Sequence, residues 1–143
     1  MTTERDLLDE VGALVSSLRG LGPQPVLVGG MALVILGSRR VTRDFDFVIR
    51  DPTANAAPLL DVLYRLGLEL ASRINDEGDI LTTIENQTVA AARIRIDRPR
   101  SAYFFNAKSR LRVDLLFDFP LPADALAERA TSMTIRSHRF AIA

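Results

Sequence analysis

The chain of 143 residues contains no cysteine, which excludes thiol catalysis and cysteine-ligated zinc. Its 18 basic and 18 acidic residues cancel, so bulk charge does not indicate a nucleic-acid binder. It has neither an apolar run long enough to span a bilayer nor a basic N-terminal segment followed by an apolar one. We therefore expect a cytoplasmic protein without membrane association. With 48% hydrophobic residues, it can bury the core of a single domain without disulfides.

The most informative segment runs from residue 26 to residue 49. An apolar strand leads into Gly29 and Gly30, a short apolar helix follows, and a second strand begins with Asp44-Phe-Asp46. Glycines let the backbone approach a phosphate, and a helix behind them points free N–H groups at the anion. Alternate residues of a strand share a face, so Asp44 and Asp46 project together while the phenylalanines enter the core. Two neighbouring carboxylates suit Mg²⁺.

Each of these features also has an ordinary structural explanation. Two glycines can form any tight turn, and period-2 alternation also describes a strand with one face in water. However, Val48 and Ile49 continue the strand as apolar residues, which predicts a central strand. Unpaired carboxylates on such a strand are costly without a cation. The combination therefore favours a metal and phosphate site.

The order of these residues resembles the nucleotidyltransferase superfamily of the DNA polymerase β type, whose signature is an apolar residue, Gly-Gly or Gly-Ser, a spacer, and Asp-x-Asp or Asp-x-Glu. A longer string is formed by Val28-Gly29-Gly30-Met-Ala, Leu36-Gly37, and Arg40-x-Thr42-x-Asp44-x-Asp46. It is similar to the AbiEii-like branch of bacterial toxin–antitoxin and phage-defence nucleotidyltransferases. The resemblance implies an α+β fold with a mixed, mostly antiparallel sheet and helices packed on it.

The resembled family has a third carboxylate on a later strand, and Asp114 is the match. It lies in the alternating segment from Leu111 to Phe119, flanked by apolar residues. Asp118 is on the same face and competes for this role, although Pro120 places it near the end of the strand. Either aspartate could instead only pair with a nearby arginine.

The resemblance implies metal-dependent transfer of a nucleoside monophosphate from a nucleoside triphosphate. Two Mg²⁺ ions, or Mn²⁺, held ~3.5–4 Å apart would stabilise the entering and leaving oxygens of an in-line attack on the α-phosphate. Asp44 and Asp46 would share the metals, while Asp114 would bind the catalytic metal and accept the hydroxyl proton. The expected nucleotide contacts are Gly29, Gly30, Ser38, Arg39, Arg40 and Arg112.

The acceptor implied by the resemblance is an RNA of the tRNA type or a protein hydroxyl, and the partner is a cognate antitoxin or a second copy of the chain. An alternative is a catalytically inactive module of the same fold that binds a nucleotide or a partner. A Rossmann-type site is weaker, since Gly-x-Gly-x-x-Gly is absent and the acids begin their strand. The resembled family usually continues into C-terminal helices that these 143 residues would lack. The chain is then a fragment, a minimal protein, or half of a shared site.

A basic stretch from Arg93 to Arg112 surrounds three aromatic residues, Tyr103, Phe104 and Phe105. These rings either offer a stacking surface for a base or belong to the core, with the arginines in solvent. Arg110 and Arg112 share a face with Asp114 and are therefore expected to point at the proposed site.

The remaining segments predict a scaffold. We expect helices at 5–18, at 53–66 with Thr53 as N-cap and Gly67 as its end, and at 122–130. We expect strands at 80–84, 89–96 and 102–106, a polar loop at 75–79, and a hairpin of 133–135 with 139–142. His138, the only histidine, is expected in the turn of that hairpin rather than in catalysis.

Overall fold

The computed structural model describes residues 4–21, 24–28, 44–135 and 137–142. Within these ranges the chain forms four helices and eight strands. In chain order they are α1 (Glu4–Arg19), β1 (Val26–Val28), β2 (Asp44–Ile49), α2 (Ala57–Arg65), β3 (Glu69–Ile74), β4 (Ile80–Ile84), α3 (Gln87–Asp97), β5 (Ser101–Phe105), β6 (Arg112–Phe117), α4 (Ala123–Arg129), β7 (Thr131–Ile135) and β8 (His138–Ile142).

All eight described strands join one sheet in the order β4-β3-β5-β6-β2-β1-β8-β7. The pairs β2–β6 and β1–β8 are parallel, and the other neighbouring strands are antiparallel. This arrangement confirms the expected α+β fold with a mixed, mostly antiparallel sheet. The strand that carries Asp44 and Asp46 lies between β6 and β1, so it is central, as predicted.

The hydrophobic core lies between the sheet and the helices. Phe45 and Phe47 of β2 are buried, as the alternation predicts, and Phe104 and Phe140 join them from β5 and β8. The helix expected at 5–18 is confirmed as α1, and its apolar residues at helical spacing are buried in the same core: Leu7, Val11, Leu14, Val15 and Leu18. None of the described helices is long and apolar enough to cross a membrane.

The strand expected at 89–96 is wrong, because this segment lies in α3. Its alternation of isoleucine with arginine is typical of a strand, but two local features favour a helix. The Asn86 side chain caps the helix by accepting the N–H of Val89 at 3.0 Å. Ala90 and Ile94, four residues apart, are the buried positions of α3, which is helical spacing.

The helix expected from Thr53 begins later, at Ala57, and has no side-chain cap. The N–H of Thr53 instead binds the Asp51 carboxylate at 2.8 Å, which forms a turn before the helix. The C-terminal end is as predicted, since Gly67 adopts a φ of 81° that favours glycine.

Two hairpins of the sheet, β3–β4 and β7–β8, differ in how well the sequence predicts them. In the first, the loop at 75–79 is confirmed, but β3 was not expected. In the second, β7 and β8 confirm the hairpin, although His138 is the first residue of β8 rather than a turn residue. The His138 Nε2 atom lies 3.2 Å from Asp9 Oδ1, which gives this histidine a structural contact with α1.

Candidate active site

Three carboxylates lie on adjacent parallel strands in the middle of the sheet. The register aligns Asp46 of β2 with Asp114 of β6, and Asp44 with Arg112. Residues aligned in this way project to the same side of a sheet whose strands are about 4.8 Å apart. On the other side of β2, Asp46 is aligned with Val28, the last residue of β1. The sheet therefore assembles the three predicted acids from two segments distant in sequence.

Burial and mutual repulsion oppose negative charge on this cluster. The pKa of Asp46 is raised from 3.8 to about 6, first by burial and then by the charge and hydrogen bond of Asp114 and the charge of Asp44. Burial and Asp114 also raise the pKa of Asp44, an effect that Arg112 opposes. Near neutral pH the fold thus carries closely spaced carboxylates at an electrostatic cost.

Arg112 contacts this cluster, and its guanidinium group has three partners among the described residues. Its Nε donates to Asp114 Oδ1 at 2.8 Å, and its Nη2 lies 3.4 Å from Asp114 Oδ2. Its Nη1 donates to the Gly78 carbonyl in the β3–β4 turn at 2.6 Å. The Tyr103 ring lies under the guanidinium, with 4.6 Å between Cζ and the ring centroid. Burial lowers the pKa of Arg112, but the hydrogen bond and charge of Asp114 and the charge of Asp44 together outweigh burial, so this pKa is raised.

Asp118, the competitor for the third carboxylate, has a different role. It follows the end of β6 with a φ of 51°. Its Oδ2 accepts the N–H of Asp51 at 3.0 Å, and its Oδ1 accepts the N–H of Ala123 at 2.8 Å. These bonds connect the ends of β2 and β6 to the start of α4, away from the cluster. Asp118 is therefore a structural residue, and Asp114 is the carboxylate that faces Asp46.

A cleft of about 610 Å³ opens beside Asp44. The volume lies in the range of small-molecule sites. A smaller cavity of about 260 Å³ lies at the opposite end of β2, but its lining is mostly apolar and carries a single carboxylate, Asp51. The polar cleft at the acid cluster is therefore the better candidate for chemistry. Its lining residues are Asp44, Glu77, Gly78, Asp79, Ile80, Phe105, Arg110 and Arg112.

The basic and aromatic stretch divides between core and cleft. Phe104 is fully buried in the core, which confirms the structural alternative for that ring. Phe105 instead lines the cleft with the Arg110 guanidinium over its face, 4.9 Å from Cζ to the centroid. Arg110 and Arg112 both reach the site, as predicted, although Arg110 precedes β6 and has a φ of 68°.

Five predicted nucleotide contacts lie outside the described residues: Gly29, Gly30, Ser38, Arg39 and Arg40. The β3–β4 turn, by contrast, enters the site without having been predicted to do so. The sequence predicts only a polar loop here, because no local signal shows that Gly78 contacts an arginine 34 positions later. Only the pairing of β3 with β5 and of β5 with β6 brings them together.

The family model described as the AbiEii nucleotidyl transferase toxin of type IV toxin–antitoxin systems matches residues 12–134. The chain belongs to the AbiEii nucleotidyltransferase family. The match includes both strands of the acid cluster and the β3–β4 turn, so this AbiEii domain contains the described site. Membership identifies the chain as a nucleotidyltransferase of the toxin–antitoxin kind and implies a nucleotide substrate and a cognate antitoxin. A search of the curated proteins finds no match.

Proposed function

We propose that this AbiEii-family chain transfers a nucleoside monophosphate from a nucleoside triphosphate to a hydroxyl of an RNA or a protein, with Mg²⁺ or Mn²⁺ as cofactor. The alignment of Asp46 with Asp114 on parallel strands carries the proposal. Two acids that repel each other, with a third on the same face, form a polar group that a stable fold would otherwise avoid. Such an arrangement is what a cation-dependent phosphoryl site requires.

The donor set fits a divalent cation in its chemistry. Carboxylate oxygens are the hard ligands that Mg²⁺ prefers. The pKa of Asp46 is raised, first by burial and then by Asp114 and Asp44, and a bound cation would favour the charged forms of these acids. Within the part of the chain that the structure describes, however, no three such side chains are already arranged to hold a metal. Asp44, Asp46 and Asp114 would therefore need to rearrange to bind one.

The sheet suggests which substrate lies on which side. In an in-line displacement, the entering and leaving oxygens are on opposite sides of the phosphorus, and a bound divalent cation would stabilise charge on both. Val28, the last residue of β1, is aligned with Asp46, which favours the β1 side of β2 for the triphosphate that Gly29 and Gly30 are expected to contact. The cleft with Arg110 and Phe105 lies on the β6 side, where Asp114 would accept the proton of the entering hydroxyl.

The test is transfer of label from each of the four α-labelled ribonucleoside triphosphates to total RNA and total protein, with Mg²⁺ or with EDTA. Labelling by the wild type that is lost in EDTA and in Asp46→Asn and Asp114→Asn supports the proposal. Asp61→Asn is the matched control, since Asp61 is an exposed aspartate of α2 in a surface ion pair with Arg65. Transfer that survives Asp46→Asn would refute it.

Calorimetric titration of the same triphosphates, together with a pyrophosphate assay, distinguishes an active enzyme from the catalytically inactive alternative. A module that only binds would take up a nucleotide in a metal-dependent manner but release no pyrophosphate with any acceptor.

We propose further that the active chain is a bacterial, cytoplasmic toxin. Its expression should then arrest growth, Asp46→Asn should abolish the arrest, and a cognate antitoxin should relieve it.

A further inference from the structure

The guanidinium of Arg112 connects the acid cluster to the β3–β4 turn, which has no role in the proposed reaction. On one side its Nε and Nη2 face the two oxygens of Asp114, at 2.8 and 3.4 Å. On the other side its Nη1 binds the carbonyl of Gly78 at 2.6 Å. These nitrogens belong to one rigid, planar guanidinium that lies over the Tyr103 ring, so a shift of this group away from Asp114 also displaces its bond to Gly78.

The contact with Asp114 bears directly on a cation at this site. A carboxylate has about four lone-pair positions, and a two-pronged arginine contact takes one on each oxygen. The guanidinium also brings a positive charge next to the place that a divalent cation would take, and both groups are largely shielded, with side chains 18% and 17% exposed. Arg112 therefore opposes the approach of a cation to Asp114 both sterically and electrostatically.

The contact with Gly78 concerns the β3–β4 turn. This turn, Asn75 to Asp79, is held internally, since Asn75 Oδ1 accepts the N–H groups of Glu77 at 3.0 Å and Asp79 at 2.8 Å. A turn that is rigid within itself moves as one body when an external contact breaks. Arg112 provides an external contact of this kind, from β6 across the cleft that Glu77 and Asp79 line.

We propose that Arg112 is a positioning residue that stands in for the cation at Asp114 and, through Gly78, links the filling of the acid cluster to the position of the β3–β4 turn. When a divalent cation binds, Arg112 withdraws from at least one Asp114 oxygen and loosens its hold on Gly78. The β3–β4 turn, which lines the cleft, is then free to move when the cation is bound. The inference rests on the proposed function, because it takes the three acids as the cation ligands.

The test measures the affinity for Mn²⁺ alone, from the electron paramagnetic resonance signal of the free ion, in the full chain without nucleotide. Arg112→Gln should bind Mn²⁺ about tenfold more tightly than the wild type, because a competing positive charge is gone. Arg112→Lys keeps the charge but cannot hold both oxygens, so its affinity should lie between the two. Arg110→Gln is the matched control, because Arg110 lines the same cleft and stacks on Phe105 without contacting Asp114. Circular dichroism shows that each variant is folded.

Hydrogen exchange of the segment 74–80 supplies the second measurement. Exchange should rise in the wild type when Mn²⁺ is added, and it should already be high in metal-free Arg112→Gln. If Arg112 instead supported Asp114 as a metal ligand, Arg112→Gln would bind Mn²⁺ about 10–100-fold more weakly, and the inference would be overturned. If hydrogen exchange of this segment changes neither on addition of Mn²⁺ nor in Arg112→Gln, the proposed link between cation binding and the β3–β4 turn is overturned.

The two proposals fail in different ways. If no variant binds Mn²⁺, the acids are not a cation site, and the proposed function and the inference on competition fall together. A different outcome is that the wild type binds Mn²⁺ while Asp46→Asn does not and Arg112→Gln binds it no more tightly. In that case the proposed function stands and only the inference falls.

Discussion

Replacing Asp46 with asparagine is expected to stabilise the fold while abolishing nucleotidyl transfer. The pKa of Asp46 is raised from 3.8 to about 6, so between these values the native state binds a proton that the unfolded chain releases. The native state therefore loses stability as the pH rises through this interval, and the full cost is present above about pH 6. The interval corresponds to about 3 kcal/mol, which partial solvation of the side chain reduces to about 1–2 kcal/mol. Asparagine has nearly the same shape and no charge, so it removes this cost.

Thermal unfolding followed by circular dichroism in EDTA measures the effect. At about pH 8 the midpoint Tm of Asp46→Asn should exceed that of the wild type by about 3–8 °C. At about pH 4 most of the difference should be gone, because the native carboxyl is protonated there and the unfolded chain has released its proton only in part. Asp61→Asn, which alters an exposed aspartate, should show no comparable gain. Equal midpoints at pH 8, or a gain that persists undiminished at pH 4, would refute the electrostatic reasoning.

Three further substitutions test contacts away from the acids by urea unfolding. Tyr64→Phe removes a hydroxyl that donates to a β4 carbonyl at 2.5 Å and accepts a β3 N–H at 3.0 Å, and it should cost about 1–3 kcal/mol; an unchanged unfolding midpoint would contradict this. Gly12→Ala should cost about 1–3 kcal/mol despite its better helix propensity, because the new Cβ would lie 2.2 Å from the Cγ atom of His138. If the clash is the cause, adding His138→Ala restores most of the loss. Asp118→Asn weakens two bonds to backbone N–H groups and should cost about 1 kcal/mol, while nucleotidyl transfer persists in the folded fraction.

The strands of the site could be predicted because their residues give a consistent signal. In β2, phenylalanines alternate with aspartates, and the buried and accessible sides follow that alternation. In β6, Val113, Leu115 and Phe117 are buried between more accessible residues. A period of two fixes which side chains share a face without any knowledge of the neighbouring strand. The sequence therefore predicts the common face of Asp44 and Asp46.

The alignment between the strands could not be read in the same way. A parallel neighbour with a pattern of period two can shift by two residues and still bury the same face. Such a shift would place Arg112 or Leu116, rather than Asp114, beside Asp46. The actual register depends on the whole sheet, including the antiparallel alignment of Tyr103 with Asp114. Long-range pairing likewise determines that Gly78 reaches Arg112.

The error at α3 has a different cause, because local signals conflict there. Isoleucine and arginine alternate at the end of the segment, but Asn86 and the alanines after it favour a helix. The helix buries Ala90 and Ile94 and leaves Ile96 72% exposed. The alternation alone would instead predict that this isoleucine is buried. The capping residue was the better indicator.

Asp114 and Asp118 show why a site of this kind needs both sequence and structure. They are four residues apart and were predicted on the same face, yet their surroundings differ. Asp118 accepts two backbone N–H bonds, so its negative charge is satisfied within the fold. Asp114 has Arg112 on one side but faces Asp46, whose charged form it disfavours. The described contacts do not neutralise the repulsion between Asp46 and Asp114. A bound cation would neutralise it. The negative charge of Asp46 beside it thus distinguishes Asp114 from Asp118, which is satisfied by backbone N–H groups.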